Sequence, residues 1–395
     1  MNPGSSRGSP GDLGSNPARL ASLHVVSGDL FAGAEVQVAT LVPALARIGS
    51  SARVVTFNEG ILASAVRAAG IETRVLPESD GILRILLGIR RILRETRPAL
   101  IHSHGYKEAI LSHLASLGMG VARVRTIHGV PELRLGGSAT KMLAYSLGER
   151  FLSWALGVHA IAVSRELERV ESGRRAWRRG VSYVPNAIPT HTARSPGYRD
   201  EHWPPGHGPR LLFVGRLEPV KGPDLLLDAF SRIHAEEPSA RLCFAGEGSL
   251  RRSLEQQVAE LGLDGAVRLL GESRHVPELM AACYLLVMPS RGEGMPTVLL
   301  EALAAGVAVV ATRVGAIPDV TQGGAFAALV PPGDSSALAE ACVRLLRDPA
   351  GRAALATRGS EAIRREFGSE ECAQKTLAVY STVCETRNGL WATSR

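Results

Sequence analysis

A chain of 395 residues exceeds what one hydrophobic core usually organises, so two domains are expected. Hydrophobic residues make up 45% and charged residues 21%, which excludes a disordered or fibrous chain. No window offers the roughly 18 uninterrupted apolar residues of a spanning helix, because the best candidate, 295–316, is broken by Glu301 and closed by Arg313. A formal net charge of +7 favours an anionic partner: nucleic acid, anionic lipid or a phosphorylated small molecule.

Residues 1–19 are rich in Gly, Ser and Pro with no apolar stretch, and read as a flexible tail rather than a signal peptide. From residue 20 short apolar strands alternate with amphipathic helices: LASLHVVS then 34–48, ARVVTF then 60–69, PALIHSH then 107–117, VARVRTIH then a helix from about 138, GVHAIAVS then 164–171, and VSYVP. The alternation stops at 187–209, where Pro196, Pro204, Pro205 and Pro209 replace any periodicity, and this stretch reads as a linker. It restarts with RLLFVG then 223–234, ARLCFAG then 249–261, AVRLLG then 275–281, CYLLVMPS then 297–305, VAVVAT then 315–321, and AALVPP then 335–346. Such alternation implies an α/β chain with two doubly wound parallel sheets, each covered by helices. Ligands of such sheets bind beyond the carboxyl ends of the strands, so function is expected in the loops there.

Five cysteines, Cys243, Cys283, Cys342, Cys372 and Cys384, show neither CxxC nor zinc spacing and read as thiols of a reducing, cytoplasmic compartment. In the first half, the turn 27-SGDLFAGAEVQ-37 brings Gly28 and Gly33 to a strand end and a helix start; it is either an anion-binding approach or a plain tight turn. His102 and His104 end one strand, and His128 with Gly129 ends another. Their spacing supplies no carboxylate and no convergent metal geometry, so no metal site is expected. His102 and His104 are either functional or simply satisfied by hydrogen bonds at a strand end, and His128, before a glycine at a strand's carboxyl end, is the better functional candidate.

In the second half, Arg216 follows a strand, Lys221 comes five residues later and Pro223 suits a first helical turn, which together make either a diphosphate cradle or a solvated pair of cations. The stretch 289-PSRGEGMPTVLLEALAAG-306 places Pro296 at the expected first helical position, behind a Met295 that cannot cap the helix. Its free amides suit a phosphate, while Glu293 and Glu301 can each accept two hydroxyl hydrogen bonds from a sugar or ribose. The plain alternative is a solvated Glu293 and a Glu301 that merely tolerates an early helical turn.

The order and spacing of VGRLEPVKG, AGEGS and PSRGEGMPTVLLEALAAGVAVVAT, with AGAE, IHSHG, TIHG and VPNAIP before them, resemble the GT-B nucleotide-sugar-dependent glycosyltransferases of glycosyltransferase family 4. The resemblance covers roughly 22–385. It implies the GT-B fold, two Rossmann-like domains facing a central cleft: 20–186 binding acceptor, 210–365 binding nucleotide sugar, and 366–395 a last helix crossing back to the first domain. It further implies that Arg216 and Lys221 bind the donor diphosphate, Glu293 the transferred sugar and Glu301 the ribose. Gly294, Met295, Pro296 and Thr297 would give backbone contacts, His128 would stand near the reacting sugar, and Gly33, Gly129, Asn186, Gly215 and Gly246 would line the substrates. The family often has two adjacent glycines where this chain has Ala32 and Gly33.

The family is retaining, which implies a hexosyl group transferred from a nucleotide diphosphate sugar, with UDP as the prior, to a hydroxyl of a glycan or lipid-linked acceptor in cell-surface polysaccharide or glycolipid synthesis. No metal is required, and the chain contains no Asp-x-Asp pair. The basic amphipathic stretch 82–98 and 174-RRAWRRG-180 suit an anionic membrane surface, or core leucines and solvated arginines. A GT-B epimerase or hydrolase, or a non-catalytic nucleotide-sugar binder, is the alternative; nucleic-acid binding lacks an aromatic basic strand or a reading helix.

Overall fold

The computed structural model describes residues 20–28, 33–128, 139–188, 202–273 and 275–392. The chain divides into two compact units: one built from residues up to Ala162, Glu168–Val184 and Ser369 onward, the other from Val163–Leu167 and Pro185–Gly368.

The first unit is laid out as β1 (Ala21–Val26), α1 (Gly33–Arg47), β2 (Ser51–Thr56), α2 (Ile61–Ala68), β3 (Thr73–Val75), α3 (Ile82–Thr96), β4 (Leu100–Ser103), α4 (Tyr106–Ala115), β5 (Ala122–Ile127), α5 (Ala139–Leu156), β6 (His159–Ala162), α6 (Arg165–Ser172) and β7 (Val181–Tyr183). Its seven strands are all parallel, in the order β3-β2-β1-β4-β5-β6-β7. Strands such as LHVV and LIHS are buried throughout, as a sheet with helices on both faces requires. Helix α3 divides the basic amphipathic stretch in two: Ile85, Ile89, Ile92 and Leu93 join the core, while Ile82, Leu83 and Leu87 stand exposed.

The second unit continues with β8 (Arg210–Val214), α7 (Pro223–Glu236), β9 (Arg241–Ala245), α8 (Arg251–Glu260), β10 (Val267–Gly271), α9 (Val276–Ala282), β11 (Leu285–Met288), α10 (Thr297–Ala304), β12 (Ala308–Thr312), α11 (Ile317–Val320), β13 (Ala328–Val330), α12 (Ser335–Arg347) and α13 (Pro349–Glu366). Its six parallel strands run β10-β9-β8-β11-β12-β13 around one large apolar core. The last helix, α14 (Ser369–Ala392), belongs to the first unit, where it packs on α1 through Arg47 Nη2 donating to Ser369 Oγ at 3.1 Å and Gln37 Nε2 donating to Cys372 Sγ at 3.4 Å.

Three expectations shift. The last helix begins at Ser369 rather than 366, because α13 is a separate helix that ends at Glu366 before Phe367 and Gly368. A three-residue strand, β3, lies in a stretch with no apolar run. Trp177, in the stretch 174–180 that suits a membrane surface or solvated arginines, is buried with Ile127, Val158 and Ala160, its Nε1 donating to Glu171 Oε2 at 2.8 Å. Of the linker 187–209, residues 189–201 lie outside the described residues; Trp203, beyond them, is buried within the second unit.

Candidate functional site

In each sheet the strand order reverses at one point, between β1 and β4 in the first unit and between β8 and β11 in the second. Doubly wound sheets bind ligands beyond the carboxyl ends of the strands at such a reversal. The candidate residues fall at these two points.

In the second unit, β8 delivers Gly215 and Arg216, and a single 3-10 turn, Pro219–Lys221, then carries Lys221. Gly222 takes a left-handed conformation and Pro223 opens α7. From the other side β11 leads into the loop that carries Glu293. The two loops meet in an ion pair: Lys221 Nζ donates to Glu293 Oε2 at 2.7 Å, and Ser290 donates from Oγ to Glu293 Oε1 at 2.6 Å. The Glu293 side chain is 5% exposed, so it is an anchored group and not the solvated one of the plain alternative. A carboxylate offers about four acceptor positions, so two remain for hydroxyl donors.

The loop is fixed around this carboxylate. Thr312 Oγ1 donates to the Ser290 carbonyl at 2.5 Å, and the Ala316 amide donates to the Gly294 carbonyl at 2.9 Å. Asn186 donates from Nδ2 to the Met295 carbonyl at 3.1 Å, and its buried Oδ1 has no partner among the described residues. Arg291 grips Asp224 with both guanidinium nitrogens, at 2.9 and 2.7 Å, tying the loop to the start of α7. Ser290, Thr312 and the Arg291–Asp224 pair were not singled out in the sequence; the PSRGE string holds two of these groups, but nothing local shows what they touch.

Helix α10 starts at Thr297, with Pro296 as its N-cap rather than its first residue, and no side chain caps it. Proline's ring nitrogen donates nothing, so the amides that open the helix are left for an outside acceptor. Glu301 sits on the same helix, half-buried; burial pushes its carboxyl up to about 7, and no described side chain pairs with it. A carboxylate in that setting is stabilised by ligand hydroxyls that donate to it.

The glycines have local explanations. A Cβ on Gly246 would lie 1.9 Å from the Gly215 carbonyl oxygen, so the loops after β8 and β9 approach this closely because residue 246 is glycine. Gly33 opens α1 with open space where a side chain would be, Gly129 lies outside the described residues, and Ala32 does too.

The first unit's switch point is different in kind. His24 of β1 and His102 of β4 are register partners in the sheet, and His104 follows on the same face. His24 Nδ1 lies 3.1 Å from His104 Nε2, and His104 Nδ1 lies 3.3 Å from His128 Nε2. His102 Nδ1 meets the Tyr380 hydroxyl of α14 at 2.6 Å, and its Nε2 meets Thr126 Oγ1 at 2.7 Å. Burial holds all four rings neutral: His24 is lowered to about 3, His128 to about 4, and His102 and His104 well below the ordinary histidine range. His128 thus joins His102 and His104, as the strand ends suggest, but His24 and Tyr380 were missed, one looking like a polar gap in an apolar strand and the other lying far along the chain.

His24, His102 and His104 each offer a ring nitrogen within 4.8 Å of the others, close enough together to share a metal ion. Those nitrogens are already joined to one another, to Tyr380 and to Thr126 by hydrogen bonds, and the group lacks a carboxylate, so a metal would have to displace these bonds.

The profile described as Glycosyltransferase Family 4 matches residues 31–192, and that described as Glycosyl transferases group 1 matches 208–348. A D-inositol 3-phosphate glycosyltransferase of Thermobispora bispora is 31% identical over 84% of this chain and 82% of its own length. An exopolysaccharide phosphotransferase of Streptomyces coelicolor is 34% identical over 66% of this chain, and an N-acetyl-alpha-D-glucosaminyl L-malate synthase of Bacillus anthracis 32% identical over 45%. The chain spans only 25% and 47% of the length of these last two relatives. Among solved structures, an Anabaena protein in complex with UDP and glucose superposes with a TM-score of 0.76 at 20% identity, covering 92% of this chain and 100% of the other. A sucrose-phosphate synthase from Thermosynechococcus elongatus gives 0.72 at 21% identity over 95% and 100%. Both share the α/β arrangement of two parallel-strand, Rossmann-like sheets described above.

Proposed function

Because the chain belongs to the GT-B glycosyltransferases of family 4, we propose that it transfers a hexosyl group from a nucleotide diphosphate sugar, a UDP-sugar, to a hydroxyl of a glycan or lipid-linked acceptor with retention of configuration. The observation that carries this reading is the anchored pair of Lys221 and Glu293 beside the uncapped start of α10, at the switch point of the second sheet. Arg216 and Lys221 with the helix amides suit a diphosphate, the free acceptor positions of Glu293 suit hydroxyls of the transferred sugar, and Glu301 suits a ribose. Gly294, Met295, Pro296 and Thr297 supply backbone around the sugar and phosphate. Gly33, Gly129, Asn186, Gly215 and Gly246 line or support the substrates, and His128 contacts the reacting sugar.

Negative charge grows on the departing diphosphate as the glycosidic bond breaks. Fixed cations and amide dipoles aimed at that charge lower the barrier without a metal. The acceptor hydroxyl attacks from the face the diphosphate leaves, and a diphosphate oxygen takes its proton. Every bond made or broken is then accounted for by donor and acceptor alone.

The test is a thermal-shift screen against UDP, GDP, ADP and their common sugars in the wild type and in Lys221→Ala, followed by NMR of the product's anomeric configuration. A shift with one nucleotide that the variant loses identifies the donor class. Retention of anomeric configuration, and turnover that survives EDTA, support the mechanism; an inverted product sinks it. Release of free sugar or an epimer without transfer marks a hydrolase or epimerase instead.

We further propose that the first unit rests on the cytoplasmic face of a membrane through α3. No described helix is long and apolar enough to cross a membrane. Ile82, Leu83 and Leu87 stand exposed beside the exposed Arg84, Arg91 and Arg94, a pairing suited to anionic lipid. Co-sedimentation with phosphatidylglycerol vesicles that Leu83→Ser and Leu87→Ser together abolish supports it, and equal sedimentation of that variant refutes it.

A further inference from the structure

The buried histidines form a single chain of hydrogen bonds whose direction can be worked out. A neutral imidazole carries one N–H and one bare nitrogen, so when several are linked in series the state of one fixes the state of the next. Here the series runs from Ser22 and Tyr380 through His24 and His104 to His128, with distances of 3.2 Å from Ser22 Oγ to His24 Nε2 and 3.4 Å from the Tyr380 oxygen to the same nitrogen. The joints at His104 are the 3.1 and 3.3 Å contacts described above.

Tyr380 decides the direction. A phenol is a stronger donor than a neutral imidazole N–H, and its hydroxyl lies 2.6 Å from His102 Nδ1 but 3.4 Å from His24 Nε2. Its burial raises the phenol well above its ordinary range, so the proton stays on the oxygen. The phenol therefore donates to His102, and His102 donates from Nε2 to Thr126 Oγ1 at 2.7 Å. With its proton committed, the Tyr380 oxygen can only accept from His24, as Ser22 Oγ then does. His24 is left bare at Nδ1 and takes a hydrogen bond from His104 Nε2; His104 is bare at Nδ1 and takes one from His128 Nε2. The end of the series is His128 with a bare Nδ1. That atom is buried and has no partner among the described residues, the one ring nitrogen of the series left unpaired.

We propose that Tyr380 and Thr126, acting through His102, His24 and His104, hold His128 in the Nε2–H form so that its Nδ1 is a fixed acceptor for a hydroxyl of the bound sugar. Tyr380 and Thr126 are positioning residues: neither reaches the site, and both act by setting which nitrogen of His128 carries the proton. The last helix of the chain thereby determines the hydrogen-bonding sense of His128, three hydrogen bonds away from Tyr380. The assignment of a sugar hydroxyl as ligand rests on the proposed function; the direction of the relay does not.

The measurement is long-range 15N–1H correlation on the full chain labelled with 15N-histidine, with His128 assigned by its disappearance in His128→Gln. The expected result in the ligand-free wild type is a single Nε2–H form at His128. Thr126→Val removes the acceptor for His102 Nε2–H with little change of shape; His102 then donates from Nδ1 to Tyr380, the phenol turns to His24, and the whole series reverses to an Nδ1–H form at His128. Tyr380→Phe removes the deciding donor and yields a mixture of the two forms, with turnover lowered about threefold to tenfold, the size of one lost hydrogen bond. An Nδ1–H form in the wild type, or an unchanged form in Thr126→Val and Tyr380→Phe, overturns the proposal. The wild-type spectrum needs no variant to fold. If His128→Gln transfers sugar as fast as the wild type while the spectra agree with expectation, the relay stands and the role of His128 in transfer falls.

Discussion

The two switch points share a topology and differ in everything electrostatic. In the second unit the loops that meet there hold the Lys221–Glu293 ion pair and a partly exposed bidentate Arg291–Asp224 clamp, beside a carboxyl on α10. In the first unit the same position is packed with four neutral imidazoles and a phenol beneath a helix. One switch point gathers charged side chains and the other gathers neutral rings that hydrogen-bond to one another.

The contrast predicts opposite responses to pH, and this is the largest effect expected. A histidine whose pKa is lowered by folding binds a proton more readily in the unfolded chain, so its contribution to stability is present above its unfolded value near 6.5 and is lost as pH falls toward the folded one. For His128, lowered to about 4, the full loss is about 3 kcal/mol, and His24, His102 and His104 act in the same direction. Hydrogen exchange followed from pH 7 to pH 4.5 is expected to show protection vanishing first in β1, β4, β5 and α14. Loss that begins in β8 and β11 instead would break the comparison.

Lys221→Ala is next. It removes a cation from the site and strands a buried carboxylate, and a preorganised charge of this kind is worth on the order of 10² or more in turnover. Arg216→Ala belongs to the same class. Initial rates with a saturating donor check both, and near-normal turnover in either would count heavily against the diphosphate role.

How much of this was legible differs between the two regions. The parallel sheets were plain, because fully buried strands such as LHVV and LLVM leave little room for another reading. The charged site was half legible: Lys221 and Glu293 stand out by chemistry, but they are 72 positions apart, and only the folded sheet brings the β8 and β11 loops together. The histidine relay was least legible. His24 alternates among apolar neighbours as any polar strand residue might, and Tyr380 meets His102 across 278 positions through a helix whose register no local pattern sets. Helix α13 was missed because its polar sequence runs directly into α14, with only Phe367 and Gly368 between them.

Glu301→Gln sharpens the comparison from the other side. Its raised carboxyl stays protonated longer in the folded protein than in the unfolded chain, so it costs stability as pH rises from its ordinary value, about 4.5, through about 7. The substitution is expected to raise stability at pH 8 by about 1 to 3 kcal/mol, with no gain near pH 4.5, and to weaken nucleotide binding about tenfold. Thermal melts at the two pH values, with and without nucleotide, check each half. Stability bought at the expense of ligand affinity is the signature of a binding residue; a gain at pH 8 with unchanged affinity would make Glu301 a buried liability with no ligand.

Ser290→Ala is the smallest effect and the most discriminating. Glu293 is held by two groups, Lys221 on one oxygen and Ser290 on the other, at 2.7 and 2.6 Å. If the carboxylate must face the sugar at a fixed angle, losing the hydroxyl frees its rotation and lowers turnover about threefold to tenfold while donor affinity, set by the cations and helix amides, stays within twofold. If Lys221 alone sets the angle, turnover is unchanged and the serine serves only the loop. Either result separates the charge of the site from its aim, which the first unit achieves by tautomer and the second by a pair of hydrogen bonds on one carboxylate.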